Sequence, residues 1–126
     1  MSFRALIVDD EPGIVSTLRE ILESRGFAAQ TATSARTARL ALSSAVFDVV
    51  ITDLKMETAT AGLEVVEAAT RLSPRPVTVI MSAHPQLLDS WKDRGAHAFF
   101  EKPADVSDLL QTIDDLLRAR DNGAAA

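Results

Sequence analysis

Three acids, a hydroxyl and a lysine fall at or just beyond the ends of short apolar runs. Asp9 and Asp10 close the run Ala5–Val8, and Asp53 follows Val49–Ile51 after a single threonine. Ser82 ends Val77–Met81, and Lys102 follows Ala98–Phe100 by way of Glu101. If these runs are parallel strands, their carboxyl ends share one sheet edge, which is where ligands bind in open α/β sheets. Three carboxylates gathered to about 5 Å repel by about 3 kcal/mol per pair at an effective dielectric of about 20. A cation must relieve that repulsion. The donors are oxygens and the chain has no cysteine, so magnesium, which keeps waters and takes phosphate oxygens, is the ion expected. Lys102 adds a fixed positive charge. Together these groups describe a site for a dianionic phosphoryl group, with a carboxylate available as nucleophile.

Such a site needs strands to hold it. The four runs above are continuous and rich in β-branched or aromatic residues, as strands buried on both faces should be. Phe27–Ala32 is more polar and suits an edge strand. Periodic stretches separate them. Ile14, Val15, Leu18, Ile21 and Leu22 mark one helical face, with Pro12 in its first turn and Gly26 at its stop. Val106, Leu109, Leu110, Ile113, Leu116 and Leu117 mark another, entered through Asp105 or Ser107 as the cap. Helices are also expected over Ser34–Ser44, Leu63–Leu72 and, in shorter form, Gln86–Arg94. This alternation predicts a parallel sheet with crossover helices on both faces.

The bulk composition narrows the function. A chain of 126 residues with 47% hydrophobic residues fits one domain with a real core. A net charge of −5 argues against direct nucleic-acid binding by phosphate neutralisation. The first apolar run is too short and ends too acidically for a signal peptide or a membrane span. With no cysteine to form disulfides, a cytoplasmic location is expected.

Several motifs carry a family likeness. Leu6-Ile7-Val8-Asp9-Asp10-Glu11, Thr52-Asp53-Leu54-Lys55-Met56, Gly62-Leu63-Glu64-Val65, Met81-Ser82-Ala83 and Glu101-Lys102-Pro103, in this order and spacing, closely resemble the receiver domains of bacterial response regulators. The resemblance implies a flavodoxin-like (βα)5 fold with strand order 2-1-3-4-5. It also implies a receiver domain over residues 1–120 and a tail over 121–126, the tail being a linker start or a cloning remnant. Asp53 would be the phosphoacceptor in two-component signalling or a phosphorelay. Asp10, Asp53 and the backbone carbonyl of Lys55 would be the direct Mg2+ ligands, with Asp9 acting through metal-bound water. Lys102 would pair with a phosphoryl oxygen across a cis Lys102–Pro103 bond. Ser82 and Phe99 would form the switch, and Lys55 and His84 stand where side chains tune phosphate lifetime. The implied partners are a sensor histidine kinase or histidine phosphotransfer protein. Downstream, an output domain or partner protein would be reached through the face of the fourth helix, fifth strand and fifth helix, which also allows a homodimer on phosphorylation. Such a domain catalyses its own modification and is not a conventional enzyme.

Four positions depart from the family pattern. Glu57 replaces the usual proline, the Asp53–Gly62 loop is one residue longer, the Ser82–Gly95 stretch is about two shorter, and Phe99 lacks a tyrosine hydroxyl. The alternatives are weaker. A haloacid-dehalogenase-type phosphatase needs an acid two residues past its nucleophile, where this chain has Lys55. No G-x-G-x-x-G follows the first run, as dinucleotide binding requires. A phosphorylation-independent interaction module has no use for the intact acids. His97 reads as a surface histidine, and Trp91 as helix packing beside Leu87 and Leu88.

Overall fold

The computed structural model describes residues 2–83 and 94–123. His84, Leu87, Leu88, Trp91 and almost all of the helix expected over Gln86–Arg94 lie outside the described residues. In chain order the elements are β1 (Arg4–Val8), α1 (Pro12–Ser24), β2 (Ala28–Ala32), α2 (Ala35–Ser44), β3 (Val49–Asp53), α3 (Ala61–Thr70), β4 (Val77–Ser82), β5 (Ala98–Glu101) and α4 (Val106–Asp121). The strands form one 5-stranded sheet in the order β2-β1-β3-β4-β5. Every neighbouring pair is parallel, the flavodoxin-like arrangement that the resemblance implies.

Side chains alternate across the sheet and so divide the core. Ala5, Ile7, Val49, Ile51, Val77, Val79 and Met81 point to the face covered by α1 and α4. Leu6, Val8 and Val50 point to the face covered by α2 and α3. A smaller apolar group, Leu54, Leu63, Val66, Ile80 and Ala96, continues that second face and receives Phe99. Because β3 and β4 have neighbours on both sides and helices on both faces, every residue in them is buried. The run at Ala98–Phe100, expected to be buried on both faces, is instead half-buried, because β5 is an edge of the sheet.

Local chemistry sets the helix ends. Pro12 opens α1, where a missing N–H is harmless. Gly26 follows α1 at φ 91°, a conformation that side chains disfavour. The Ser34 hydroxyl accepts the Thr37 N–H and caps α2, and Asp105 does the same for α4 by accepting from Asp108. Among the described residues no helix is long and apolar enough to cross a membrane.

Candidate functional site

The parallel register delivers the polar residues to one end of the sheet. Val8 pairs with Thr52, Asp53 with Met81, and Ser82 with Glu101, so Asp9, Asp53, Ser82 and Lys102 stand almost level. The Lys102 N–H donates to the Ser82 carbonyl at 2.8 Å, extending the β4–β5 ladder by one bond. The Lys102–Pro103 peptide is cis. A cleft of about 210 Å3 opens here, with Asp10, Asp53, Lys55, Ser82 and Lys102 among its walls. A larger groove of about 510 Å3 lies between α1 and α4, but among the described residues Glu11 and Lys102 are the only charged ones lining it. The smaller cleft gathers Asp10, Asp53 and Lys102 with Ser82.

Carboxylate oxygens of Asp9, Asp10 and Asp53 lie within 4.8 Å of one another. Asp9 and Asp53 are buried, whereas Asp10 is exposed. Lys102 Nζ donates to Asp9 Oδ2 at 2.6 Å and lies 3.3 Å from Asp53 Oδ2. The Glu11 N–H donates to Asp9 Oδ1 at 3.0 Å, and the Leu54 N–H to Asp53 Oδ1 at 2.9 Å. Burial and the adjacent Asp9 charge raise the Asp53 pKa, and Lys102 and the Leu54 N–H only partly offset them. Burial opposes the charge on Lys102, but the Asp9 hydrogen bond and the two carboxylates outweigh it and raise its pKa. The site is thus short of positive charge.

The donor set suits a small, hard cation. Three carboxylates whose oxygens lie within 4.8 Å of one another can share one such ion, and magnesium is a cation that takes oxygen ligands.

Ser82 is buried at the end of β4. Phe99, on the neighbouring strand opposite Ile80, packs against the apolar group that contains Leu54, the residue after Asp53. Lys55 is exposed at the cleft, and His84 lies outside the described residues.

Two features escaped sequence reasoning. An ideal Cβ on Gly62 would lie 2.1 Å from the Asp53 carbonyl oxygen, so α3 rests directly on the backbone of the acid. The Glu57 carboxylate accepts the Ala35 N–H at 3.0 Å and the Arg36 N–H at 3.3 Å, binding the loop after Asp53 to the start of α2. Gly62 already stood out as a motif residue, but only three-dimensional packing reveals its contact.

His97 also differs from expectation. It is half-buried, and its Nδ1 accepts the Thr78 N–H at 3.0 Å. Burial and the Arg75 charge lower its pKa. The unfolded chain therefore binds the proton more readily, and the His97 contribution to stability is full above about pH 6.5. It is lost as pH falls from there through the folded pKa. The urea midpoint of the parent should drop more between pH 7.5 and 5.5 than that of His97→Asn, whose amide oxygen accepts the same N–H without titrating. Equal drops would dismiss the imidazole as the cause.

Comparisons with known proteins agree with this arrangement. The family model for the response regulator receiver domain matches residues 5–114. The transcriptional regulatory protein GlrR of Escherichia coli is 32% identical over 114 residues, covering 89% of this chain and 26% of GlrR. The alginate biosynthesis transcriptional regulatory protein AlgB of Pseudomonas putida is 35% identical over 93% of the chain and 26% of its own length. The chain thus spans about a quarter of the length of these relatives. A CheY-like receiver domain from Methylobacillus flagellatus superposes with TM-score 0.77 at 30% identity, over 90% of this chain and 99% of that one. The beryllofluoride-activated NtrC4 receiver domain gives TM-score 0.77 at 30% identity, over 91% and 96%. This chain belongs to the response regulator receiver domain family, whose members act in two-component signalling.

Proposed function

We propose that this domain accepts a phosphoryl group on Asp53 from a phosphohistidine of a sensor histidine kinase or histidine phosphotransfer protein. The observation that carries the proposal is the set of three carboxylates within 4.8 Å, with Lys102 Nζ 2.6 Å from Asp9 and 3.3 Å from Asp53. An Asp53 oxygen attacks phosphorus in line as the bond to the histidine nitrogen breaks, and the electron pair leaves with that nitrogen. Lys102 is placed to exchange carboxylate contacts for a phosphoryl oxygen. Asp10, Asp53 and the Lys55 carbonyl would hold Mg2+ directly, and Asp9 would hold it through water. The ion, when bound, supplies charge neutralisation at the phosphoryl oxygens.

The acyl phosphate would then favour a second conformation in which Ser82 and Phe99 rearrange, so the output is a shift of population. The signal would leave through the side of the fold that carries β5 and α4, toward an output domain or a partner protein, or into a homodimer; the fourth helix expected over Gln86–Arg94 lies almost wholly outside the described residues. The domain modifies itself and turns over no separate product, so it is not a conventional enzyme.

With acetyl phosphate and Mg2+, intact-mass spectrometry should show one added phosphoryl group, which is lost when a chelator removes the metal beforehand. An unmodified protein with Mg2+ present would instead favour a phosphorylation-independent interaction module.

A further inference from the structure

Glu57 occupies the place where the family usually has proline, and its carboxylate is bound to a different element of the fold. Its two oxygens accept the Ala35 and Arg36 N–H groups at 3.0 and 3.3 Å. These are unsatisfied donors at the start of α2, where partial positive charge gathers. The first turn of α2 has no acid of its own. Slight burial opposes ionisation of Glu57, but the N–H bonds to its carboxylate outweigh it and hold the pKa below the ordinary glutamate value. Glu57 thus meets α2 as an anion.

Lys55 lies two residues earlier, in a loop held on both sides. Before it, Leu54 is fully buried, and its N–H donates to the Met81 carbonyl at 3.0 Å. After it, Met56 packs against the core on the α2–α3 face, its N–H donates to the Thr58 carbonyl, and Glu57 grips α2. Lys55 itself is exposed and lines the cleft beside Asp10 and Asp53. The Glu57 contact ties this loop to the start of α2, while the Leu54 and Thr58 carbonyls accept the Gly62 and Ala61 N–H groups of α3.

We infer that Glu57 is a positioning residue: by capping α2 from outside, it holds the loop so that Lys55 completes the cation site. This rests on the reading of that cleft as a Mg2+-dependent phosphoacceptor site. Loss of the contact frees the loop, and an ordered carbonyl ligand must then be fixed at the expense of metal affinity. Groups that orient metal ligands typically contribute about 10-fold or more to affinity.

The test is a Mg2+ titration by calorimetry of the parent, Glu57→Ala, Glu57→Gln and Glu64→Gln. Acetyl phosphate uptake is measured alongside at limiting and saturating Mg2+. Glu57→Ala should weaken Mg2+ binding about 10-fold while uptake at saturating Mg2+ returns to within about twofold of the parent. Glu57→Gln, which loses the charge but keeps an oxygen for one N–H, should fall between the two. Glu64→Gln removes the charge from the acid of the 2.7 Å Arg39–Glu64 ion pair between α2 and α3 without touching the loop, and should match the parent. Unchanged affinity in Glu57→Ala would overturn the inference and leave the phosphoacceptor reading intact. Equal losses in Glu57→Ala and Glu57→Gln would overturn it in favour of a simple charge effect. A parent that binds no Mg2+ would overturn both readings.

Discussion

Asp53→Asn should abolish phosphoryl uptake and at the same time raise the stability of the metal-free fold. The amide that replaces the carboxylate is no nucleophile, and in enzymes that work through a covalent step losing the nucleophile costs on the order of 10^6-fold. Intact mass after acetyl phosphate treatment should therefore stay at that of the unmodified chain. The stability change has the opposite sign. Burial and Asp9 raise the folded pKa of Asp53 above the ordinary aspartate value of 3.8. Its ionised form is therefore destabilising, fully so above the folded pKa, and the penalty fades as pH falls through that pKa toward 3.8. Asparagine removes the penalty and keeps the shape. Lys102 loses its 3.3 Å contact but retains Asp9 at 2.6 Å. In chelator at pH 7 the variant should show a higher urea midpoint than the parent. A lower midpoint would mean that Asp53 anchors the fold, and the lost uptake could then be a folding defect.

Gly62→Ala should be strongly destabilising, because its added carbon meets the closest contact of any glycine in the described structure. The added carbon would lie 2.1 Å from the Asp53 oxygen, 2.8 Å from the Leu54 Cα and 3.0 Å from the Asp53 carbonyl carbon. All three atoms are backbone, so none can swing aside. In a helix interior alanine is favoured over glycine by about 1 kcal/mol, whereas overpacking of this kind costs about 3 kcal/mol or more. The steric term wins. For a chain of this length a net loss of about 2 kcal/mol lowers Tm by about 8 °C, and the displaced Asp53 backbone should slow phosphoryl uptake as well. Gly13→Ala is the matching control, because nothing lies within 4 Å of its added carbon. It should leave Tm unchanged or slightly higher. Similar Tm values for Gly62→Ala and the parent would show that α3 can retreat from β3 at little cost.

Much of this was legible because strands and their ends leave marks in sequence. Continuous apolar runs identified β1, β3 and β4, and the polar residues that terminate them had to meet at one edge once the strands were parallel. Strand order was not legible from periodicity, which says which face is buried but not which strand is the neighbour, so it came from family resemblance. For the same reason the run Ala98–Phe100 reads as fully buried, although β5 is an edge. Side-chain pairing was the least visible layer. Nothing in the sequence says that Lys102 sits nearer Asp9 than Asp53, that Glu57 reaches α2, or that His97 accepts the Thr78 N–H. Such contacts join elements far apart in the chain, where spacing carries no information.

The placement of β5 has a mechanical consequence. Asp9 follows β1 and Asp53 ends β3, each of these strands being flanked by two others, whereas Phe99 and the approach to Lys102 belong to an edge strand with a single neighbour, β4. Opening free energy varies across a fold, and edge elements are the easier ones to displace. In hydrogen-exchange terms, β5 amides should lose protection before those of β1 and β3. The same sheet is then a stiff anvil under Asp53 and a compliant reed at its margin. On the proposed reading, a tug on Lys102 would bend that reed and carry Phe99 with it while the interior strands hold still.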